Sequence, residues 1–349
     1  MADILDKINF DKSDRSYMIN HIEGFPDMCR DAWEIGKKFA LPSYYIKAKK
    51  FVLVGMGGSG IAADIIADML TSSNIVVEVV HDYDIPAWVD EDTIVIATSY
   101  SGNTEETLSA LIESNNLRAK LIIITTGGKI NILADKYKAP CLTFDYKCVP
   151  RASFPYLFVF LLSIFIKLGQ IDLTESSFLK AIEYLETEEQ KFKVNSHTSV
   201  NMAKSLALKF YEKIPVIYAS GYLKSVARRF KSQINENAKN LAFYEILPEL
   251  NHNALEGVLP NKNSVAVAIL ESNYDFPRNI KRQNITAGIL RNNKITCERV
   301  KFVPCESQLA ELLTMVLFGD FVSYYLAILN KVDPTINDNI TELKEMLGK

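Results

Sequence analysis

The chain has 349 residues and a formal net charge of −3, and 48% of its residues are hydrophobic. This hydrophobic content excludes a disordered chain, and the length predicts two domains rather than one. Lysine and arginine are scattered along the sequence, which argues against a nucleic-acid-binding protein because such a protein needs a basic face.

The five cysteines are widely spaced and predict reduced thiols in a cytoplasmic protein. They are Cys29, Cys141, Cys148, Cys297 and Cys305. No CxxC pair occurs, and the only close pairs, Cys141 with Cys148 and Cys297 with Cys305, have no histidine nearby, so no zinc site is expected. The early acidic residues do not fit a signal peptide. The apolar segment 154–168 is short for a membrane span and predicts a buried core helix instead.

The first half of the sequence alternates apolar runs with helical patterns. Helical spacing in residues 14–40 is divided into two predicted helices by Pro26. Further helices are predicted at 61–70, from Leu108 onward and at 154–168. Apolar runs predict strands at 50–54, 75–80, 93–97, 121–125 and 138–144. Strands that alternate with helices predict a parallel, doubly wound α/β sheet whose ligand-binding loops share one edge.

A polar stretch separates this half from a second α/β unit. Residues 172–210 have helical spacing, and their charges predict the solvated face of linking helices. The second unit starts at 215–222, with further strands at 242–245, 264–270 and 294–302 and helices at 223–240, 306–329 and toward the C-terminus. The predicted domains are therefore an N-terminal domain at 1–170, linking helices at 171–210 and a C-terminal domain at 211–349.

Two loops of the first unit carry the chemical signals. Residues 55–60 read G-M-G-G-S-G, which matches the dinucleotide fingerprint G-x-G-x-x-G between a strand and a helix. Residues 98–107 read T-S-Y-S-G-N-T-E-E-T, and their hydroxyls at a helix start predict a phosphate site. The alternative is an ordinary helix cap, which serine and threonine also favour. The two loops together favour a sugar phosphate over a dinucleotide.

These loops resemble those of the sugar isomerase (SIS) fold. Further segments resemble the bifunctional phosphoglucose/phosphomannose isomerase family, and they are residues 149–151, 235–239, 251–253 and 340–344. The resemblance runs from about Met18 to the C-terminus. It implies an α/β fold of two tandem SIS-type doubly wound parallel-sheet domains with flanking helices, packed face to face around the site.

The resemblance also implies roles for individual residues. The implied substrate-binding residues are Gly57, Gly58 and Ser59, which would line the sugar, and Ser99, Ser101 and Thr104, which would bind its 6-phosphate. Glu236 would move the proton between C2 and C1, and Arg151 would stabilise the enediolate. His252 and Lys344 would serve ring opening and proton shuttling, with His252 supplied by the other subunit of a homodimer.

The chemistry of aldose–ketose interconversion requires these residue types. A carboxylate suits the base that takes and returns one proton, and a guanidinium suits the negative charge on the intermediate. Histidine donates and accepts protons near neutral pH. The enediol route requires no metal or redox cofactor. Each residue taken alone fits an ordinary surface or loop position, and only their joint occurrence in family order predicts the isomerase.

The predicted function is therefore the interconversion of glucose 6-phosphate, and also mannose 6-phosphate, with fructose 6-phosphate. One alternative is a non-catalytic sugar-phosphate sensor on the same fold, although no basic DNA-binding helix is evident. Another is an NAD-dependent dehydrogenase, which rests on the glycine fingerprint alone. A third is an amino-sugar isomerase, although the sequence has no glutaminase-like N-terminal cysteine.

Overall fold

The computed structural model describes residues 4–302 and 307–348, so Cys305 lies outside the described residues. The chain divides into two compact units, Gly24–Ile182 and a second that joins Met1–Glu23 to Glu183–Lys349. The predicted domains differ from this division because they assign the N-terminal residues to the first domain. Within the second unit, Phe10 stacks on Tyr324 with ring centroids 6.1 Å apart. The Lys204 ammonium donates to the Asp6 carboxylate at 2.9 Å, which ties the N-terminal segment to this unit.

Strands, helices and 3-10 turns alternate along both units. The strands are β1 (Lys50–Val54), β2 (Val76–Val80), β3 (Thr93–Ser99), β4 (Lys120–Thr125), β5 (Cys141–Thr143), β6 (Ile214–Ala219), β7 (Phe243–Ile246), β8 (Val265–Leu270) and β9 (Thr296–Val300). The α-helices are α1 (Ile4–Lys7), α2 (Met18–Glu23), α3 (Phe25–Lys38), α4 (Gly57–Met69), α5 (Glu105–Asn116), α6 (Gly128–Tyr137), α7 (Phe154–Lys167), α8 (Glu175–Phe192), α9 (Met202–Phe210), α10 (Lys224–Ala238), α11 (Ala254–Val258), α12 (Pro277–Asn292), α13 (Gln308–Leu329) and α14 (Asp338–Leu347). Short 3-10 helices span Phe10–Lys12, Ser43–Lys47, Pro150–Ser153, Gly221–Leu223, Glu249–His252 and Leu259–Asn261.

Each unit contains one sheet, and the paired strands within both sheets are parallel. The first sheet has the order β2-β1-β3-β4-β5 and the second the order β7-β6-β8-β9. Lys50 of β1 pairs with Val76 of β2 on one side and with Thr93 of β3 on the other. Both sheets therefore run outward in two directions from their first strand, which confirms the predicted doubly wound arrangement and puts the loops after β1 and β3 side by side.

Apolar side chains cover both faces of the first sheet, as expected for a buried parallel sheet. On one face, Val52 and Val95 belong to a core cluster with Leu111 and Ile130. On the other, Phe51 lies 5.2 Å from Phe165 of α7, between ring centroids. The sequences of β1, β3 and β4 are apolar runs because these strands are buried almost throughout, whereas the edge strand β2 is partly exposed.

Two helices are long and apolar enough to cross a membrane by composition, Pro150–Lys167 and Gln308–Leu329. In the most apolar stretch of each helix, the buried share of the residues is 78% for Pro150–Lys167 and 100% for Gln308–Leu329. The segment predicted at 154–168 is thus a core helix, α7, as its interrupted apolar run indicated.

The structure corrects three points of the predicted organisation. The charged stretch before residue 210 is not solvated throughout, because Glu188 and Glu189 of α8 are 6% and 3% exposed. The helices α6 and α12 are present where the sequence pattern assigned none. The glycine segment is not entirely a loop, since α4 already begins at Gly57.

Candidate functional site

The hydroxyl-rich segment lies where β3 meets α5. Ser99 ends the strand, and its hydroxyl lies 3.0 Å from that of Thr104 and accepts from the Gly102 N–H at 3.1 Å. The Ser101 hydroxyl is on the exposed side and accepts from the Asn103 N–H at 3.3 Å. Thr104 is the N-cap residue of α5, but its side chain makes no capping hydrogen bond. The cap alternative therefore does not account for these hydroxyls, and the α5 N–H groups keep their capacity to bind an anion.

The segment between β4 and α6 packs against this hydroxyl-rich loop. Gly102 has a φ of +67°, and its carbonyl accepts from the Ile130 N–H at 2.9 Å. A Cβ at Gly102 would lie 1.7 Å from the Gly127 carbonyl oxygen, so only glycine fits this approach. The hydroxyl loop is therefore fixed by backbone against the start of α6.

Tyr100 connects the hydroxyl loop to the segment that leads to Arg151. Its hydroxyl donates to the Tyr146 carbonyl at 2.7 Å and accepts from the Cys148 N–H at 2.9 Å. Burial raises the pKa of the Tyr100 hydroxyl to about 12, so the group stays a donor at neutral pH. Burial likewise raises the pKa of the Cys148 thiol to about 12, against the opposing charge of Arg151.

The glycine segment brings α4 against the turn that carries Arg151. A Cβ at Gly58 would lie 2.9 Å from the Arg151 Cα, so the absence of a side chain lets the two backbones meet. Arg151 itself is 4% exposed, in the 3-10 helix before α7. The Ser59 hydroxyl accepts from the Tyr100 N–H at 3.1 Å and so links the glycine segment to the hydroxyl loop. The structure thus brings together Gly58, Ser59, Arg151 and the hydroxyl loop in one unit.

His81 is a residue of this site that the sequence did not assign. It follows β2, and its Nδ1 lies 2.6 Å from the Gly55 carbonyl oxygen while its Nε2 lies 2.9 Å from Asp64 of α4. A Cβ at Gly60 would lie 2.7 Å from the imidazole. His81 therefore links the glycine segment to α4 through its two ring nitrogens. In the sequence, only its position directly after a predicted strand could have marked it as a residue of this site.

Glu236 lies in the other unit, near the end of α10, where a cleft of about 470 Å³ opens. The cleft is lined by Asn235, Glu236, Lys239, Val332, Asp333, Ile336, Asn337, Asp338, Asn339 and Ile340. The Asn337 amide donates to Glu236 Oε2 at 3.0 Å. The Lys239 ammonium donates to the carbonyls of Glu236 at 2.8 Å and Asp333 at 2.6 Å. The carboxylate is therefore half-buried and oriented by a neutral amide.

A ladder of buried polar contacts fixes the rotation of α10. Arg229 pairs with Asp320 of α13 at 2.7 Å, and Gln233 donates to the same carboxylate at 2.9 Å. Asn237 donates to the Ser323 hydroxyl at 2.9 Å. These α10 residues are four positions apart and so share one helix face. Because Asn237 is adjacent to Glu236, the ladder sets the direction in which the Glu236 side chain leaves the helix.

The other two predicted catalytic residues, His252 and Lys344, are exposed, and neither is among the described residues that line this cleft. His252 ends a 3-10 helix that is held by Asn251, whose amide donates to the Thr286 hydroxyl at 2.9 Å and whose carbonyl accepts from Arg282 at 3.2 Å. Lys344 lies on α14, the helix whose first residues line the cleft. Within residues 4–302 and 307–348, no group of three or more acidic, histidine or cysteine side chains is arranged to hold a metal ion.

Two family models match the sequence in the places where the structure has its two sheets. Residues 44–137 match the SIS domain, and residues 199–347 match the bacterial phospho-glucose isomerase C-terminal SIS domain. The matches confirm that both units carry the same kind of fold.

Curated relatives extend this similarity along the chain. The bifunctional phosphoglucose/phosphomannose isomerase of Caldicellulosiruptor bescii is 35% identical over 95% of this chain and 99% of that protein. The D-glucosamine-6-phosphate 4-epimerase of Sulfolobus acidocaldarius is 34% identical over 60% of this chain and 64% of that protein. Among solved structures, the C-terminal domain of glucosamine-fructose-6-phosphate aminotransferase from Francisella tularensis has a TM-score of 0.72 at 14% identity, covering 92% of this chain and 98% of that one, which shows the shared fold.

Proposed function

Because the chain belongs to the bifunctional phosphoglucose/phosphomannose isomerase family, we propose that it interconverts glucose 6-phosphate and mannose 6-phosphate with fructose 6-phosphate. The observation that carries this proposal is the identity of 35% over nearly the whole length of a curated member. In the aldose-to-ketose direction, C1 gains the hydrogen that C2 loses and the C1 oxygen gains the proton that the C2 hydroxyl loses, so two protons and two electrons move within a single sugar. The reaction leaves the oxidation state of the whole molecule unchanged.

The 6-phosphate binds to Ser99, Ser101 and Thr104. This role is supported by the loop in which the three hydroxyls lie, because the loop leads into α5 with Thr104 as the N-cap residue, where backbone N–H groups and the helix dipole favour an anion. It is also supported by the hydrogen bonds that keep the Ser99 and Thr104 hydroxyls 3.0 Å apart. The phosphate gives the enzyme binding energy at a point remote from the reacting carbons.

The sugar lies along Gly57, Gly58 and Ser59, with Arg151 beside the developing charge. The contact between the backbones of Gly58 and Arg151 supports this pairing. When the proton leaves C2, negative charge accumulates on the C1 oxygen of the enediolate. A fixed guanidinium stabilises that charge most strongly where water is scarce, and Arg151 is 4% exposed.

Glu236 is the base that removes the proton from C2 and returns it to C1. A carboxylate suits this task because the same oxygen takes and gives the proton on one face of the enediolate. The amide of Asn337 donates to Glu236 Oε2 at 3.0 Å, which supports a carboxylate held in one orientation. The buried ladder next to Glu236 supports a fixed carboxylate rather than a mobile surface acid.

His252 and Lys344 assist ring opening and proton shuttling at the ring and C5 oxygens. We propose that the active unit is a homodimer in which His252 acts in the site of the other subunit. The exposure of His252, and its absence from the cleft that Glu236 lines, support this arrangement. A cytoplasmic location is proposed with it, supported by the free thiols Cys29, Cys141, Cys148 and Cys297.

The experiment is a coupled assay on the purified protein, started from fructose 6-phosphate, with glucose 6-phosphate and mannose 6-phosphate as the measured products. The variant Glu236→Gln keeps the shape of the base and removes its proton affinity. We expect kcat to fall by about 10²–10⁴-fold while sugar-phosphate binding is retained. The matched control is Glu183→Gln, an exposed glutamate of α8, which should keep wild-type kcat. Near-full activity of Glu236→Gln would refute the base assignment.

The same preparation separates the alternatives. Thermal stabilisation by sugar phosphates without turnover of any of them favours a sensor. A melting shift with NAD favours the dehydrogenase that the glycine fingerprint suggested. Conversion of glucosamine 6-phosphate to its C4 epimer favours the activity named for the Sulfolobus relative. Production of both glucose 6-phosphate and mannose 6-phosphate supports the proposed bifunctional isomerase.

A further inference from the structure

The second sheet repeats the topology of the first. In the order β7-β6-β8-β9, β6 takes the central place of β1 and β8 takes the place of β3. The segment after β8, residues 271–276, therefore corresponds to the hydroxyl loop after β3. In open α/β sheets this edge, at the carboxyl ends of the strands, is where ligands bind.

The segment after β8 presents hydrogen-bond donors to one buried carboxylate. Glu311 of α13 is fully buried, and its Oε2 accepts from the Ser272 hydroxyl at 2.6 Å. Its Oε1 accepts from both the backbone N–H of Asn273 at 3.1 Å and the Asn273 side-chain amide at 2.7 Å. The Tyr222 hydroxyl, from the turn after β6, donates to the same carboxylate. Burial and the Glu311 charge raise the pKa of Tyr222, which keeps this hydroxyl a donor.

These donors are of the kind that hold phosphate oxygens: hydroxyls, an amide and a backbone N–H at the end of a strand. In the described part of the chain they converge on Glu311 from two loops. Four donors on one carboxylate compensate its burial, since each bond to a charged acceptor is stronger than a neutral one. The Glu311 carboxylate thus has the charge and the partners of a bound oxyanion.

A second carboxylate, Asp275, comes from the same segment after β8 and accepts hydrogen bonds from other residues. Asp275 accepts from the Ser220 hydroxyl and, at 3.0 Å, from the Gln283 amide. A Cβ at Gly221, which has a φ of +58°, would lie 2.9 Å from Asp275 Oδ1. The Asp275 side chain therefore packs directly against the turn after β6 at Ser220 and Gly221.

The first unit differs at the corresponding place. The Ser99, Ser101 and Thr104 side chains hydrogen-bond within their own loop, and no carboxylate accepts from them in the part of the chain that the structure describes. The donors after β8 thus bond to a carboxylate of the chain, whereas the hydroxyls after β3 bond within their own loop.

We propose that the hydrogen-bond donors of Tyr222, Ser272 and Asn273 form an oxyanion site that the Glu311 carboxylate occupies permanently. Truncation of this side chain then opens a site for inorganic phosphate in the second unit. In the wild-type chain these donors are therefore not available to an external anion. This inference does not depend on the proposed catalytic roles, because none of its residues takes part in them.

The test compares Glu311→Ala with wild type in the full chain by equilibrium dialysis against radiolabelled inorganic phosphate. We expect Glu311→Ala to bind one phosphate more per chain than wild type, and its Tm to rise with phosphate concentration more steeply. Glu311→Gln is the matched control, because the amide fills the same space and should bind no additional phosphate. Leu312→Ala, a truncation at the adjacent buried position, should lose stability without gaining a phosphate.

Three results would overturn the proposal. The first is a folded Glu311→Ala protein with the phosphate stoichiometry of wild type. The second concerns a Glu311→Ala protein that does not fold in chloride buffer. If it also fails to fold in phosphate buffer, phosphate does not replace the lost carboxylate, which contradicts an oxyanion site. The third needs no variant, since an ordered sulfate on Ser272 and Asn273 in wild-type crystals would show that Glu311 does not occupy the site.

Discussion

Gly102→Ala is the substitution that tests how the hydroxyl loop, residues 98–107, is held in place. Gly102 and Gly169 have nearly the same left-handed backbone, with φ of +67° and +68°. A Cβ at Gly102 would lie 1.7 Å from the Gly127 carbonyl oxygen, whereas a Cβ at Gly169 meets nothing within 4 Å. The pair therefore separates the cost of the backbone angle, which both alanines share, from the cost of the overlap, which only Gly102→Ala has.

The magnitude follows from the contacts around Gly102. The angle costs an alanine about 1 kcal/mol at either site. To reach the shortest tolerated Cβ separation of 3.0 Å, the two backbones must part by about 1.3 Å. That movement lengthens the bond from the Ile130 N–H to the Gly102 carbonyl, now 2.9 Å, and the bond from the Lys129 N–H to Asn103, now 3.1 Å, beyond bonding range. Two lost bonds of about 1 kcal/mol each bring the total to about 3 kcal/mol.

The assay is scanning calorimetry together with sugar-phosphate binding. In a unit the size of Gly24–Ile182, about 1 kcal/mol shifts the Tm by roughly 2–4 °C. We expect a loss of this size for Gly169→Ala and a loss of roughly 6–12 °C for Gly102→Ala, which should also bind fructose 6-phosphate more weakly. Equal Tm losses for the two variants, with unchanged binding in both, would refute the reasoning that the close backbone approach holds the loop.

Two further predictions concern buried ion pairs of the other unit. Asp320→Asn removes the carboxylate charge that faces Arg229, a residue only 3% exposed. This change should lower the free energy of unfolding by about 3–5 kcal/mol, measured as a lower Tm. The exposed ion pair of Lys209 with Glu298 should by contrast contribute under about 1 kcal/mol. Burial raises the pKa of Asp6, but the hydrogen bonds from Lys204 and Thr198 outweigh it and lower the pKa to about 2. The pair therefore stabilises the fold fully above about pH 4, the usual carboxyl range, and its contribution falls as the pH drops toward 2. Asp6→Asn should lower the Tm at pH 7 and less so at pH 3, and a constant Tm difference between those pH values would contradict this assignment.

The sequence was most informative where a property repeats locally. Strands at 50–54 and 264–270 were predicted from apolar runs and lie within about a residue of β1 and β8. Pro26 indicated a helix boundary, and α3 begins one residue before it. The predicted boundaries were poorer at the glycine segment, because glycines in a first helical turn read as loop when their packing is unknown. The helix α12 was missed because polar residues interrupt its apolar spacing.

The burial of charged residues could not be read from local pattern. Glu188 and Glu189 lie in a run of charges, and nothing in that run distinguishes them from their exposed neighbours. Glu311 is flanked by apolar residues, but only the convergence of Ser272, Asn273 and Tyr222 on it explains why a carboxylate is tolerated there. Such partners come from distant parts of the chain, so a sequence window cannot contain them.

The alternation of strands and helices, the presence of two tandem units and the position of the hydroxyl-rich loop between a strand and a helix were all predictable from the sequence. These features depend on residue periodicity and on short segments, which the order of residues states directly. The contact of Gly58 with Arg151, the hydrogen bond between His81 and Gly55 and the hydrogen bond from Asn337 to Glu236 arise only in the folded chain. The members of each pair lie 26 to 101 residues apart in the sequence, so only the fold brings them into contact.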